Sequence, residues 1–443
     1  MNAVSSRNER TPHTTAGQIW TDISDSLWEA TANPRPLIGT LAEAQHADVV
    51  VIGMGYLGLA CALKLAESGA DVVVIDANGP GFGASGRNGG QVIPGLKYDP
   101  EELQELYGGR ASEAVIDFVG GAADRVFDVI DRYGIACDPV RNGWIQGAHN
   151  ESALGNVHRR ANQWIARGVD ADLLDARAVT AAVGCGENVY CGGWIDRRAG
   201  SVQPLNYALG LAEAALSRGA RLFRDATATR IRSIGNLWEV NTSRGVSLRT
   251  AQVVIATNAY SDDLWPKLKT SIIPAQSFQV ATDPLPTALR DVILPGQTVA
   301  SDARRLLHYY RLDAAGHFVM GGRGSLSTPA GPAEFAHIVQ AVKKTFPRLR
   351  DIPIRYAWAG RLAMTQDFLP HMHQPAGGIT IALGCNGRGI ALTTAVGEAI
   401  GEHLLRGAAL PFPASAIRPI PFHDLHKAYV SLLVQYYKIR DMF

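Results

Sequence analysis

The spacing of hydrophobic positions changes several times along the chain, and each change marks an element. Residues 1–46 are polar, interrupted by proline and without a repeating apolar period, which predicts an arm that wraps the fold or is ordered only in part. "ADVVVIGMGYLGLACALKLAESGADVVVIDA" (47–77) then runs as apolar strand, glycine turn, amphipathic helix and second apolar strand. Continuous apolar runs on both sides of a helix predict a βαβ unit in a parallel sheet covered on both faces. "LNYALGLAEAALSRGARLFRDATATRIRS" repeats helix and strand, and "SLRTAQVVIATNAYS" (247–261) supplies another buried strand. "GGITIALGCNGRGIALTTAVGEAIGEHLLRG" (377–407) returns to strand, glycine turn and helix.

Elsewhere the period shortens. "GIACDPVRNGWIQGAH", "SIIPAQSFQVATDPL" and "LLHYYRLDAAGHFVMGGRG" alternate or carry aromatic and β-branched residues, which favours an antiparallel sheet. The expected fold is therefore α/β, with a Rossmann-like nucleotide domain from discontinuous segments (47–98, 199–270 and 356–411). An α+β substrate domain with the antiparallel sheet takes 99–198 and 271–355, and 412–443 is a helical tail. A chain of 443 residues is long enough for two or three such units.

Composition narrows the function classes. Lys plus Arg number 42 against 41 Asp plus Glu, so no electrostatic footprint for nucleic acid is present. The five cysteines form no C-x-x-C, which points to neither a disulfide framework nor a zinc site and fits a reducing cytoplasm. The first twenty residues lack the apolar stretch of a secretory signal, and no run approaches the roughly 20 apolar residues of a spanning helix. The expected location is cytoplasmic or peripheral to a membrane.

Gly53, Gly55 and Gly58 form G-x-G-x-x-G between a strand and a helix, where the first makes the turn, the second admits a pyrophosphate and the third packs helix on strand. Asp76 ends the next strand, 18 residues beyond Gly58, placed to accept ribose hydroxyls. The set reads as an adenine-dinucleotide site without a 2′-phosphate; the competing reading is glycines that serve packing alone. A nicotinamide dehydrogenase follows this unit with more helices and strands, whereas here the strand runs into the glycine-rich "GFGASGRNGGQV" (81–92), which favours FAD.

These segments, with "IATNAYS", "PAQSFQVATDPL", "YYRL", "YAWAGRLAMTQDFLP" and "GCNGRGIALTTAVGEAI", occur in an order that resembles the D-amino-acid-oxidase-like superfamily of FAD-dependent amine oxidoreductases, over residues 47 to about 407. Within it the glycine loop is most similar to the group acting on γ-glutamylputrescine. The resemblance implies non-covalent FAD held by Gly53, Gly55, Tyr56, Leu57, Gly58, Asp76 and Ala77, and by Gly83, Ala84, Ser85, Arg87, Asn88, Gly89, Gly90 and Gln91. It adds Ala228, Thr257, Asn258 and Gly360, and at the second glycine turn Asn386, Gly387, Arg388, Gly389 and Ile390. The implied reaction is hydride transfer from an amine-bearing carbon to flavin N5, giving an imine that water hydrolyses, with no compulsory side-chain base. No metal site is expected.

Departures from the family pattern bear on substrate and linkage. Amino-acid-oxidising relatives carry a carboxylate-binding arginine where this chain has Leu362, with Arg361 one place off. The cysteine that anchors flavin in monomeric sarcosine oxidases is Gly360, and their substrate-holding lysine is Ala391. A γ-glutamylated amine is thus the first expectation. A secondary or cyclic amino acid of the L-pipecolate or sarcosine type is the alternative, and a flavin-binding scaffold or electron-relay subunit the alternative of another class. Oxygen or a quinone-type carrier would take the electrons.

Substrate-pocket candidates are Arg87, Tyr309, Tyr310 and Trp358. Alternation sends His308 and Tyr310 to one face of their strand and Tyr309 and Arg311 to the other. Trp194 and Trp358 either wall the amine site or pack in the core. In the tail, Leu425, Ala428, Tyr429, Leu432, Leu433, Tyr436 and Ile439 form a helical stripe predicted to close the core; with Lys438 and Arg440 it would also suit the inner face of a membrane.

Overall fold

The computed structural model describes residues 26–441 apart from Thr328 and Ala330, and the backbone alone of Pro332, Lys438, Ile439 and Arg440. Residues 1–25 of the predicted arm, and the tail positions Ile439, Lys438 and Arg440 as side chains, lie outside it. The part of the arm that is described begins with a one-turn helix α1 (Leu27–Ala30), capped by the Ser26 hydroxyl, which accepts from the Glu29 N–H.

The chain then forms β1 (Gln45–Ile52), α2 (Tyr56–Glu67) and β2 (Val72–Ile75), the expected βαβ unit. After the helices at 100–133 come β3 (Trp144–Ala148) and β4 (Gly192–Asp196), then α3 (Pro204–Ser217), β5 (Arg221–Arg224) and β6 (Ser247–Ile255). The second half contains β7 (Ile273–Pro284), β8 (Val299–Asp302), β9 (Tyr309–Leu312), β10 (His317–Arg323) and β11 (Ile354–Met364). It ends with β12 (Ile379–Leu383), α4 (Gly389–Arg406) and α5 (His426–Arg440).

Strands β5, β2, β1, β6 and β12 lie side by side and parallel; β2, β12 and the C-terminal halves of β1 and β6 are apolar on both faces and covered twice, and β5 lies beyond β2. An antiparallel hairpin (228–242) extends the sheet alongside the first half of β6. The valines and isoleucines of β1 and β2 are buried, and α2 is buried almost all round between α3 and α4.

The second sheet has eight strands and is antiparallel except where β8 runs parallel to β3, Val299 opposite Trp144. It encloses a separate core around Phe278, Phe318, Tyr310 and Phe346. One expected boundary changes. Strand β11, assigned by sequence from residue 356 to the nucleotide domain, pairs with β7 from Ile273–Met364 to Thr282–Ile354 and so belongs to the second sheet. The helices at 100–133, assigned to the substrate domain, bury Val115, Ile116, Phe127 and Ile130 in the same core as Leu57, Tyr207 and Ile390. The same core also holds Trp144, Ala148 and Trp194 of the second sheet, so these helices bridge the two layers, the last of them packed on α4.

Candidate functional site

A cavity of about 1520 Å³ is walled by residues of both sheets. Its glycine-lined side grows out of the βαβ unit. Gly53 leaves β1 with φ +115°, and Gly55, Tyr56 and Leu57 open α2 onto the cavity, so that first-turn N–H groups and the positive end of the helix face it. The Tyr56 N–H donates to Ser85 Oγ (3.1 Å), which ties the 81–92 loop to that turn. Asp76 accepts from the N–H groups of Met54 (2.9 Å), Asn78 (2.8 Å) and Gly79 (2.9 Å). Burial raises its pKa, and those three bonds pull it back.

Of the residues named from sequence, Ala77, Gly83, Ala84, Ser85, Arg87, Asn88, Gly89, Gln91, Ala228, Thr257, Asn258 and Gly360 also line the cavity, as do Asn386, Gly387, Arg388, Gly389 and Ile390. Gly58 and Gly90 do not. A Cβ on Gly58 would run into the Gly53 carbonyl, so this residue serves helix-on-strand packing; Gly90 has φ +72° and faces the Val202 carbonyl.

The loop is braced from behind. Asn88 Nδ2 donates to the carbonyls of Ala84 (3.1 Å) and Ser85 (2.9 Å), and its Oδ1 accepts from the Gly90 N–H (2.8 Å). The Arg87 carbonyl accepts from Trp358 Nε1 (3.0 Å) and from Gln279 Nε2, and the Asn88 carbonyl from Trp28 Nε1 (2.8 Å). Trp358 is therefore not a wall of the substrate pocket. It is fully buried edge-on against Trp28, and it positions the loop. Trp194 is likewise core, packed on Trp144. The Arg87 side chain lies over the Phe82 ring (4.8 Å), its Nε buried without a hydrogen-bond partner.

The second glycine turn is held by two asparagines. Asn258 Oδ1 accepts from the Gly384 N–H (3.0 Å), and Asn386 bonds Thr365 and donates to the Gly384 carbonyl (2.7 Å). This fixes the start of α4 beside the cavity. Cys385 lies in the wall and accepts weakly from Asn258 Nδ2 (3.5 Å).

On the side walled by the second sheet, alternation separates the two tyrosines as expected, and only one reaches the cavity. The Tyr309 hydroxyl shares a hydrogen bond with Ser277 Oγ (2.7 Å), and burial pushes its pKa up to about 12. Tyr310 points into the core and pairs with the Tyr190 hydroxyl (2.8 Å), so it is not a pocket residue. His308 Nδ1 lies 3.3 Å from Asp302 Oδ2 in a structural pair.

Sequence reasoning did not single out Lys97, Arg160, Arg323, Trp144 and Gln146, all in the wall. Burial, together with Arg388 and Arg323, pushes the Lys97 pKa down to about 8; its ammonium lies 4.7 Å from the centre of the Phe368 ring. Arg388 donates to the Pro94 carbonyl (3.1 Å) and stacks on Trp144 (5.0 Å), and burial holds its pKa near 10. Only Arg323, a lone charge ending the apolar strand "HFVMGGR", carries a local signal in the sequence.

The tail covers the mouth. Tyr429, Val430, Leu433 and Tyr437 of α5 line the cavity, and Asp441 accepts from the N–H groups of Arg305 (3.0 Å) and Leu306 (3.1 Å). The predicted stripe is displaced by about one residue around the helix. Tyr429 faces inward, whereas Leu425 and Leu432 are 61% and 72% exposed, so the stripe does not close the core.

Residues 48–403 match the family model described as FAD dependent oxidoreductase. The chain belongs to this family. It is 32% identical over 428 residues to "Gamma-glutamylputrescine oxidoreductase" of Escherichia coli (strain K12), covering 95% of this chain and 99% of that one. It is also 32% identical to "Probable oxidoreductase OrdL" of Haemophilus influenzae, over 82% of this chain and 84% of the relative. The crystal structure of glycine oxidase from Geobacillus kaustophilus shares the fold, with a TM-score of 0.71, 19% identity and coverage of 85% and 99%.

The residues present fit the FAD of an FAD-dependent oxidoreductase. The backbone is bare of side chains at both glycine turns, a carboxylate stands at the ribose position, and Arg87 Nε is a buried donor without a protein partner. Among the described residues no group of His, Cys, Asp or Glu could hold a metal ion, and no helix is long and apolar enough to cross a membrane.

Proposed function

We propose that this FAD-dependent oxidoreductase oxidises the amine-bearing carbon of a γ-glutamylated amine of the γ-glutamylputrescine type, with oxygen or a quinone-type carrier as final acceptor. The observation that carries the reading is the end-to-end similarity to the E. coli gamma-glutamylputrescine oxidoreductase. The cavity exceeds the roughly 300–1,000 Å³ of common ligand sites, so it has room for a dinucleotide and an extended substrate.

FAD bound at the two glycine turns supplies a two-electron acceptor. The α2 turn and Asp76 would hold its phosphates and ribose, and the amides opening α4, steadied by Asn386 and Asn258, would face the ring and favour negative charge developing there. The substrate must present a neutral amine. Tyr309, held protonated, can donate to or accept from that amine without removing its proton. Residues of α5 and the 303–307 loop exclude bulk water.

Steady-state turnover with γ-glutamylputrescine, L-pipecolate and sarcosine tests the reading. We expect kcat/KM for the first to exceed the others by about 100-fold or more. Turnover of only the cyclic or N-methyl amino acids would overturn it.

A further inference from the structure

The chain is close to electroneutral, yet the cavity is not. Among its wall residues eight are Lys or Arg and four are Asp or Glu. Those acids are already committed. Asp76 accepts three backbone N–H groups, Glu102 accepts from the Asp99 N–H (2.7 Å), Asp262 from the Leu264 N–H (3.0 Å), and Asp302 pairs with Arg304 (2.9 Å). Asp99, close in sequence to Lys97, is taken by Arg160 Nε (2.5 Å).

Six of the eight cations have no ion-pair partner among the described residues; Arg87, Arg305 and Arg361 each lie over an aromatic ring, of Phe82, Tyr437 and Tyr260, and the other three stand together, Lys97 repelled by both Arg388 and Arg323. Lys97 has the Phe368 ring beside it, Arg388 has Trp144 and the Pro94 carbonyl, and Arg323 is faced by Tyr437; none has an ion-pair partner among the described residues. Burial and mutual repulsion depress the pKa of Lys97 and, mainly through burial, those of the two arginines. Lys97 is exposed and Arg323 and Arg388 half-buried in the cavity wall, so like charges without a counter-charge face the same space, and a bound anion would relieve their repulsion. FAD phosphates held at the α2 turn would leave this group uncompensated.

We propose that Lys97, Arg323 and Arg388 form a carboxylate-binding subsite that takes the glutamyl carboxylate of the substrate, which makes the substrate class an amine bearing an anion remote from its reacting carbon. The inference rests on the cavity being the site of amine oxidation. It accounts for how a chain with Leu362 and Ala391 at the positions of its relatives' carboxylate-holding cations can still select an acid.

The test uses the FAD-loaded full chain and two readouts. The first is the Kd of glutarate, read from perturbation of the flavin absorbance, with neutral glutaramide as control. Lys97→Met and Arg323→Met should each weaken glutarate about tenfold or more, leave glutaramide within about twofold, and Lys97→Arg should restore most of the loss. The second is kcat/KM for γ-glutamylputrescine against 4-aminobutyrylputrescine, which lacks the carboxylate. The Met variants should lose at least about tenfold on the first and under about twofold on the second. Equal losses on both substrates, or unchanged glutarate binding, would overturn the subsite. Absence of γ-glutamylputrescine turnover with glutarate binding still dependent on Lys97 would remove the substrate assignment and leave the subsite standing.

Discussion

At the scale of single residues, the consequences divide between those that hold the dinucleotide and those that are strained by waiting for a ligand. Asp76→Ala removes the acceptor that organises Met54, Asn78 and Gly79 and that would face the ribose, so purified protein should lose most of its FAD, measured as flavin released per chain. Lys97 is of the second kind. Its folded pKa, about 8, lies below the unfolded lysine value of 10.5, so the cost of its charge is full below pH 8 and relieved as pH rises toward 10.5. Lys97→Met should therefore raise stability near neutrality, with the advantage fading across that window in denaturant titrations. The same variant should weaken substrate binding, a pairing of effects that a merely structural lysine would not give. Asp76, Gly53 and Gly55 were legible as neighbours on one cavity wall because a strand–turn–helix–strand unit has fixed spacing. Lys97 was not, since a cation that reaches the cavity from the irregular "IPGLKYDP" obeys no period.

At the scale of elements, the βαβ unit could be read directly because doubly covered strands must be apolar throughout. Strand β11 could not be assigned so easily, because it hydrogen-bonds in the second sheet while its end delivers Gly360, Arg361, Leu362 and Met364 to the cavity. The tail failed differently. Its sequence has apolar residues around more of the helix than one stripe, and the burial that selects a face comes from the cavity mouth. Trp358 shows the same limit: a tryptophan in an active-site strand reads as a wall, but its indole N–H is spent on the Arg87 carbonyl. We expect Trp358→Phe to loosen the 81–92 loop and lower FAD affinity about tenfold or less, seen as a raised Kd on FAD titration of apoprotein. Truncation after Phe422 should raise KM several-fold and leave FAD content near that of the full chain, since Tyr437 of α5 and Asp441 after it contact the 303–307 loop.

For the whole molecule, the two sheets divide the work: the parallel sheet presents the glycine turns, and the second sheet supplies Tyr309, Trp144 and Arg323 to the same cavity, Tyr309 against Gly89 and Trp144 against Arg388. The pH dependence follows from both. kcat/KM should rise with pH as the substrate amine loses its proton, then fall above about pH 8 as Lys97, faced by Arg388, Arg323, Cys385 and the Phe368 ring, loses its charge. In Lys97→Met the falling limb should vanish from the profile. The central claim, that this cavity oxidises a γ-glutamylated amine through bound FAD, is tested most directly by one anaerobic titration of the yellow protein with γ-glutamylputrescine. The expected result is complete bleaching of the flavin absorbance at one equivalent, with absorbance returning on admission of an acceptor. A spectrum that stays oxidised through excess γ-glutamylputrescine, while sarcosine or L-pipecolate bleaches it, would contradict the account.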